Sequence, residues 1–339
     1  MKPKKLLVLG GTDFAGRAVV EAALGRGWEV TVFHRGRREP PAGVRSLLGD
    51  RTAPDGLAAL ASAAGEGEGE WDVVVDTWSA APRAVRDTAR LLADRAERYV
   101  YVSSCSVYAW APPADYAEDA PLVEGASEDA EQTDYTRDKL GGELAAVSAF
   151  GAERSLLVRS GLILGPYENI GRLPWWLTRL ARGGPVLAPG PRSLPLQYVD
   201  VRDLAEWILG AADAGVSGAY NLMSPQGHTT MGELLDACVR VTGARAELRW
   251  TEPSVVLDAG IQPWTQLPVW VPVGSDMHDA LHRADVSRAV AAGLRCRPVS
   301  ETVADTWTWL QGIGGVAPRR PDRPPVGLPP DLETKVLTQ

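Results

Sequence analysis

The chain has 339 residues, of which 45% are hydrophobic and 23% are charged, a balance that is ordinary for a soluble globular protein. Its formal net charge of −8 argues against a general nucleic-acid or membrane-surface binder, since such proteins normally carry basic patches. Three widely spaced cysteines without a CxxC pair favour a reducing compartment. No stretch approaches the roughly 18 apolar residues of a membrane span. We therefore expect a cytoplasmic protein that binds neither nucleic acid nor membrane.

Short β-rich runs alternate with helix-like segments through the first half of the chain. Helical periodicity predicts helices over residues 17–25 and 82–96, and the glycine- and glutamate-rich run 64–70 is predicted to be a surface loop. Apolar strands that alternate with helices imply a parallel sheet with helices on both faces. The predicted fold class is α/β, with a doubly wound parallel sheet of the Rossmann type. The predicted strands are residues 5–9, 29–34, 44–48, 73–76, 99–103 and 155–158.

The second half of the chain changes character after residue 166, where proline and tryptophan become frequent. A strand followed by a helix returns at residues 196–210, and another strand is predicted at residues 219–222. Residues 318–339 are proline-rich and poor in apolar side chains, so we expect a poorly ordered tail there. The predicted domains are a dinucleotide-binding domain of residues 1–165 and 196–223 and a smaller, interleaved C-terminal substrate-binding lobe of residues 166–195 and 224–317.

Three glycines lie between a strand and a helix in LVLGGTDFAGRAVV, residues 6–19. Such a turn directs backbone N–H groups and a helix N-terminus at a pyrophosphate. Gly10 would allow the turn, and Gly16 would let the helix and strand pack closely. Gly11 or Thr12 would lie near the phosphates. A purely structural turn is the alternative, but the position after the first strand favours a dinucleotide cofactor.

The strand predicted at residues 29–34 ends in His34 and Arg35, with Arg37 and Arg38 close behind. Folds that bind NAD usually carry an acidic residue here for the ribose 2′-OH, whereas a guanidinium suits the 2′-phosphate of NADP. NADP is therefore the predicted cofactor, with NAD as the alternative. A solvated basic loop is the structural alternative.

Two carboxylates accompany this candidate cofactor site. Asp13, followed by Phe14, stands in the glycine loop where phosphates are expected. It could repel a 2′-phosphate unless Arg35 neutralises it, bond a free ribose 2′-OH, or point to solvent. Asp50 follows the third strand, where it could accept a hydrogen bond from the adenine amino group or shape a turn.

A serine, a tyrosine and a lysine form the candidate catalytic set. Tyr135 and Lys139 are four residues apart at the start of a helix predicted to reach about residue 149, so they share one helix face. A lysine ammonium there favours the phenolate, which makes the phenol a usable proton donor or acceptor. Ser104 follows the fifth strand, where ligands bind in such folds, and could hold the substrate oxygen.

Together these motifs resemble the extended short-chain dehydrogenase/reductase family, also called the NAD-dependent epimerase/dehydratase family. The resemblance covers roughly residues 5–310 and rests on GGTDFAG, YVSSCSVY, YTRDK, VRSGLILGP, QYVDVRDLAEWIL and AYNLMSP. It implies that Ser104, Tyr135 and Lys139 are the catalytic set and that Tyr135 and Lys139 also contact the cofactor, Lys139 at the nicotinamide ribose. The resemblance further implies nicotinamide-side contacts from Asp76, Thr77, Ser103, Ser160 and Leu162.

Asp13 and two further features depart from that family. Ser104 is followed by Cys105 and Ser106 instead of an Asp-Glu pair, which disfavours 4,6-dehydration of a nucleotide sugar and leaves both residues as candidate substrate contacts. No arginine directly precedes the strand near residue 197. The remaining candidates for binding a substrate anion, which could equally be ordinary surface residues, are Arg172, Arg179 and Arg182.

Aromatic residues could present flat surfaces to a ring-containing substrate, and Trp78, Trp175 and Trp176 are the candidates, with core packing as the alternative. His278 and His282 are four apart and are assigned to a helix surface, and no metal site is predicted. The predicted function is an NAD(P)-dependent oxidoreductase acting on a carbonyl or hydroxyl of a small molecule. The alternatives are a nucleotide-sugar epimerase with tightly bound NAD and a non-catalytic dinucleotide-binding protein. A homodimer is the assembly considered.

Overall fold

The computed structural model describes residues 2–65, 70–130, 134–321 and 323–338, so residues 66–69 of the predicted surface loop lie outside the described residues. The strands are β1 (Lys5–Leu9), β2 (Glu29–His34), β3 (Arg45–Leu48), β4 (Trp71–Asp76), β5 (Ala96–Ser104), β6 (Ser155–Ser160), β7 (Ile163–Leu164), β8 (Gly184–Pro189), β9 (Pro195–Leu196), β10 (Val199–Asp200), β11 (Gly218–Leu222), β12 (Thr229–Thr230) and β13 (Ala246–Thr251). The helices are α1 (Phe14–Gly25), α2 (Ala58–Gly65), α3 (Arg83–Leu92), α4 (Tyr135–Phe150), α5 (Arg172–Ala181), α6 (Val201–Asp213), α7 (Met231–Thr242), α8 (Pro253–Asp258), α9 (Asp276–His282), α10 (Ser287–Ala291), α11 (Val299–Gly312) and α12 (Pro330–Leu337). Short 3-10 turns cover Cys105–Val107 and Ala152–Arg154.

The central sheet has the strand order β11-β6-β5-β4-β1-β2-β3, and all neighbouring strands are parallel. Alternate residues of β1 enter two cores: Leu6 and Val8 pack with α1 and α6, whereas Leu7 and Leu9 pack with α3 and α4. These helices cover both faces and confirm the predicted doubly wound sheet. The strand order reverses between β1 and β4, the point where open α/β sheets bind ligands at their carboxyl ends. Among the helices of the described residues, none combines the length and apolar character needed to cross a membrane.

The second lobe has its own core around α5, α7, α11 and the parallel strands β8 and β13. Trp176 is fully buried in this core, and its indole Nε1 donates a hydrogen bond to the Pro268 carbonyl (2.8 Å). Trp175 packs edge-on against Trp176 and against Gly327, where an added Cβ would come within 2.2 Å of the Trp175 indole nitrogen. Trp176 is thus enclosed by protein atoms, and its predicted substrate contact is wrong, whereas Trp175 is only partly buried and its substrate contact stays a prediction.

The C-terminal segment is folded, which differs from the poorly ordered tail that its composition predicts. Helix α12 packs on β8, and the Glu333 side chain accepts hydrogen bonds from Arg179 Nε (2.7 Å) and Leu187 N (3.1 Å). Glu333, Val326 and Leu328 are all buried. One buried ion pair and a few apolar side chains therefore fix a segment that lacks a continuous apolar face. The same pairing removes Arg179 as a candidate for binding a substrate anion.

The two histidines of α9 are buried, so their assignment to a helix surface is wrong. His278 is 3% exposed and His282 is 1% exposed. His282 Nδ1 accepts a hydrogen bond from Gln197 N (3.1 Å), which leaves Nε2 to donate to the Val269 carbonyl (3.2 Å). Burial lowers the pKa of His282 to about 4, so this side chain is neutral in the folded protein near pH 7.

This buried histidine predicts a pH-dependent loss of stability. In the unfolded chain His282 titrates near its ordinary pKa of 6.5, so between pH 6.5 and 4 the unfolded state binds the extra proton. The free energy of unfolding should then fall as the pH drops through this window, by about 3 kcal/mol in total from this residue. Urea unfolding at several pH values would measure it. His282→Gln should flatten the dependence and His228→Gln should preserve it; identical slopes in all three proteins would contradict the assignment.

Candidate functional site

A groove of about 580 Å³ opens at the carboxyl ends of β1, β2 and β4. The glycine loop forms one part of its wall, with Gly10 in the left-handed region at φ 98°. A Cβ at Gly16 would lie 2.4 Å from the Gly10 carbonyl oxygen, so the helix can approach the turn only without a side chain there. Gly11 lies behind the wall, where it packs against Val20 and Val32. The other loop residues predicted to bind the cofactor, Thr12, Asp13 and Phe14, line the groove.

The C-terminal strap forms another part of the groove wall. We give this name to residues 318–321 and 323–328, which connect α11 to α12; residue 322 lies outside the described residues. Its residues Arg319, Arg320 and Pro321 line the groove. Their place in the groove was not predicted, because the composition of this segment is typical of a poorly ordered tail.

The Asp13 carboxylate is held by protein groups. Its Oδ1 lies 2.5 Å from Arg38 Nη1, and its Oδ2 accepts a hydrogen bond of 2.6 Å from Asn169 Nδ2. Asp13 also caps α1 by accepting from Phe14 N (3.2 Å). None of the three expectations for Asp13 describes this arrangement, in which Arg38 supplies the positive charge that was assigned to Arg35. The carboxylate instead ties the glycine loop to the second lobe.

The basic residues after β2 lie at one end of the groove. His34 serves the fold, because its Nδ1 accepts from Gly36 N (3.2 Å) and its Nε2 lies 2.5 Å from Ser46 Oγ. Arg35 and Arg37 are exposed on the groove wall, and no ion pair of either is found within the described ranges. The groove therefore offers two exposed guanidinium groups, both near enough to Asp50 to interact with it electrostatically, where the resemblance places the adenosine ribose.

Of the two roles predicted for Asp50, the structure shows the one in a turn. Its carboxylate accepts from Thr52 N (3.0 Å) and Thr52 Oγ1 (2.7 Å), and these bonds lower the pKa of Asp50. Asp50 does not line the groove, although its neighbours Gly49 and Arg51 do. Its predicted contact with adenine is therefore not supported by its position.

Asp76 is the centre of a buried ion pair, so its predicted contact with the nicotinamide is wrong. The carboxylate is fully buried and receives both Arg51 Nη1 and Nη2 at 2.7 Å. It also accepts from Tyr99 OH (2.6 Å) and Trp78 N (2.9 Å), which occupies both oxygens. Thr77 and Trp78 line the groove, a position compatible with their predicted contacts with the nicotinamide and the substrate. Sequence reasoning missed Arg51, whose only signal is its position after β3.

Ser103, Ser160 and Leu162 are buried away from the groove, so their predicted cofactor contacts are not supported by their positions. Ser103 Oγ donates to Glu143 Oε1 (2.5 Å), and Glu143 pairs with Arg159 at 2.9 Å. Ser160 Oγ donates to the Ser103 carbonyl (3.0 Å), while Leu162 belongs to the core of the second lobe. These serines link β5 to β6 and α4.

The candidate catalytic residues come from two adjoining elements. Ser104 caps the 3-10 turn after β5, with its Oγ 3.1 Å from both Ser106 N and Ser106 Oγ. Tyr135 begins α4, which is capped by Asp134 and packs against that turn. Among the hydrogen bonds of the described residues, none joins Ser104, Tyr135 and Lys139 to one another.

Lys139 points inward from α4. Its Nζ donates to the carbonyls of Trp78 (2.5 Å) and Val102 (2.7 Å), and the residue is 3% exposed. Burial lowers the pKa of Lys139 to about 7, against the opposing effect of the Asp76 carboxylate. The ammonium thus fastens the ends of β4 and β5 beneath the helix that carries Tyr135.

The two residues after Ser104 differ in orientation. The Cys105 Sγ contacts the Arg159 carbonyl (3.1 Å), and burial raises the pKa of this thiol to about 12. Cys105 therefore faces the protein interior, and its predicted substrate contact is wrong. Ser106 is exposed beside Ser104, in a position compatible with its prediction.

Comparisons with known proteins agree with this architecture. The family model "NAD dependent epimerase/dehydratase family" matches residues 6–222. The chain is 29% identical to the "Epimerase family protein SDR39U1" of Bos taurus over 75% of this chain and 85% of that protein. It is 26% identical to the "Chloroplast stem-loop binding protein of 41 kDa b, chloroplastic" of Arabidopsis thaliana over 75% of this chain and 65% of that protein.

Solved structures share the fold at low sequence identity. The Bordetella bronchiseptica enzyme WbmH in complex with NAD+ aligns with a TM-score of 0.67 and 18% identity, over 93% of this chain and all of that chain. A UDP-galactose 4-epimerase aligns with a TM-score of 0.62 and 18% identity, over 91% and 99% of the two chains. With the family model spanning more than half of its length, the chain belongs to the NAD-dependent epimerase/dehydratase family.

Proposed function

We propose that this protein is an NADP(H)-dependent oxidoreductase that reduces a carbonyl of a small organic molecule or oxidises the corresponding hydroxyl. The observation that carries the proposal is the groove at the switch point of the sheet. It combines a turn that needs glycine at Gly10 and Gly16 with two exposed arginines, Arg35 and Arg37. A pyrophosphate suits the first feature and a ribose 2′-phosphate suits the second.

Ser104, Tyr135 and Lys139 do not themselves line the groove, but Lys139 bonds to the carbonyl of Trp78, which does, and the three would serve the chemistry of a nicotinamide dinucleotide. When bound, that cofactor supplies or accepts the hydride. Tyr135 would exchange the proton of the substrate oxygen, and Ser104 would orient that oxygen. Lys139 would act as a positioning residue, because its ammonium holds the Trp78 and Val102 carbonyls beneath the tyrosine.

Variants of the two arginines test the cofactor preference. Arg35→Gln and Arg37→Gln should each weaken NADPH binding about tenfold, because each removes a charge-assisted hydrogen bond to phosphate. NADH affinity should change by less than about twofold, since NADH lacks the 2′-phosphate. Calorimetric titration measures both, with Arg240→Gln on the exposed side of α7 as a matched control. Equal losses for NADPH and NADH would contradict the proposed preference.

A nucleotide-sugar epimerase with tightly held NAD is the second candidate. The strap favours it, because Arg319, Arg320 and Pro321 add a wall that would slow exchange of a bound dinucleotide. Sugar epimerases among the similar structures agree with it. Denaturing the purified protein and identifying the released nucleotide separates the candidates. Near-stoichiometric NAD with no net redox turnover would favour the epimerase, whereas nucleotide-free protein that oxidises NADPH would favour the oxidoreductase.

Nucleic-acid binding, named for the Arabidopsis relative, is not part of the proposal. The net charge of −8 gives no general attraction for a phosphate backbone. Arg35 and Arg37 lie together at the groove, where one nucleotide would account for both.

A further inference from the structure

The C-terminal strap brings an arginine onto the proposed catalytic tyrosine. The guanidinium carbon of Arg323 lies 4.4 Å from the centroid of the Tyr135 ring. The strap is fastened on both sides of Arg323: Arg320 N donates to the Asn169 carbonyl (3.0 Å), and Gly327 N donates to the Thr265 carbonyl (2.8 Å). Arg323 is therefore held at this position by main-chain hydrogen bonds.

A second arginine approaches the same region from the first turn of α5. The guanidinium carbon of Arg172 lies 4.7 Å from the centroid of a Trp264 ring. Burial lowers the pKa of Arg172, and the positive charge of Arg323 lowers it further. The two guanidinium groups therefore interact electrostatically. Tyr135 also interacts electrostatically with Arg172.

Glu168 is the carboxylate that interacts electrostatically with Arg172, and it also caps the start of α5. Glu168 is fully buried, and its oxygens accept hydrogen bonds from Arg172 N (2.6 Å) and Leu173 N (3.1 Å) at the start of α5. Within the parts of the chain that the structure describes, neither Arg172 nor Arg323 forms a side-chain ion pair. The Nε atoms of both are buried and lack a hydrogen-bond partner there.

The buried Glu168 carboxylate offsets one of these two positive charges, so the arginine pair keeps a net positive charge that favours an anion bound beside it. We infer that Arg172 and Arg323 form a recognition site for an acidic group of the substrate, a carboxylate or a phosphate ester, next to Tyr135. Guanidinium groups bind such oxyanions through paired, charge-assisted hydrogen bonds. The inference rests on the proposed function, because it assigns the class of molecule whose oxygen Tyr135 would protonate.

Calorimetric titration with malonate and with inorganic phosphate tests the site, using full-length protein saturated with NADPH. The variants Arg172→Gln and Arg323→Gln should each weaken the preferred probe about tenfold, and Arg323→Lys should recover part of the loss. Arg240→Gln is the matched control, because Arg240 is exposed on α7 and belongs to neither proposed site. It should leave probe affinity unchanged.

Preference for malonate would assign a carboxylate, and preference for phosphate would assign a phosphate ester. Failure of the wild-type protein to bind either probe would overturn the inference, as would equal probe affinity in the wild type and both glutamine variants. Titration of NADPH in the same samples reports the proposed function separately. If NADPH does not bind, the probes are titrated into the protein alone, so a lost cofactor site is not mistaken for a lost anion site.

Discussion

Replacing Tyr135 with phenylalanine is expected to reduce turnover about 10³-fold, because the variant lacks the hydroxyl that would exchange the substrate proton. NADPH affinity should stay within about twofold, since the ring and the start of α4 are retained. Turnover is followed as NADPH consumption with a panel of small carbonyl compounds that carry a carboxylate or a phosphate.

The control for this experiment is Tyr220→Phe, on β11 and packed against Trp207 of α6, which should retain turnover. Full turnover by Tyr135→Phe would remove Tyr135 from its proposed role. A wild-type protein that binds NADPH but consumes it with no member of the panel would favour the non-catalytic alternative.

Replacing Asp76 with alanine is expected to lower the free energy of unfolding by about 3–5 kcal/mol. The substitution leaves the Arg51 guanidinium buried without its counter-ion, because Arg51 is 6% exposed at its side chain and both Nη atoms bond to Asp76. Tyr99 OH and Trp78 N would lose their acceptor as well. Urea unfolding measures the change.

Asp87→Ala is the matched control, because Asp87 pairs with Arg83 and Arg86 on the surface with 38% of its side chain exposed. Its loss should cost no more than about 1 kcal/mol. A small loss of stability for Asp76→Ala together with weakened NADPH binding would contradict the structural role and restore the predicted cofactor contact.

Most of the sheet could be predicted from the sequence because its strands, the exposed β3 excepted, are short and largely buried apolar runs. Strands β1 and β2 match their predicted ranges, β4 and β6 each extend theirs by two residues at one end, and β5 begins three residues earlier and ends one residue later than predicted. The predicted helix over residues 82–96 runs too far: α3 ends at Leu92, and Ala96 and Arg98 already pair with β4. Strand pairing there overrides the helical preference of a segment rich in Ala, Arg and Glu.

The side chains at the strand ends were harder to predict than the strands. Asp76 and Thr77 are adjacent, yet the first enters the core and the second lines the groove. The partners that decide this are remote in sequence: Arg51 precedes Asp76 by 25 residues, and Glu143 follows Ser103 by 40. A polar residue at a strand end therefore does not reveal whether its partner is a ligand or a buried side chain.

The strap was missed for a related reason. Its low apolar content predicts disorder, but the Glu333–Arg179 pair and the buried Leu328 anchor it to the second lobe. Long-range pairing of single residues leaves no periodic pattern in the sequence. The strap nevertheless contributes to both proposed sites, through Arg319 at the groove and Arg323 at Tyr135.

The proposed cofactor site is tested by calorimetric titration of the purified wild-type protein with NADPH, NADP, NADH and NAD, after a check for nucleotide already bound. We expect one dinucleotide per chain, with the 2′-phosphorylated forms bound more tightly than their counterparts. Protein that is free of nucleotide and binds none of the four more tightly than about millimolar would contradict it.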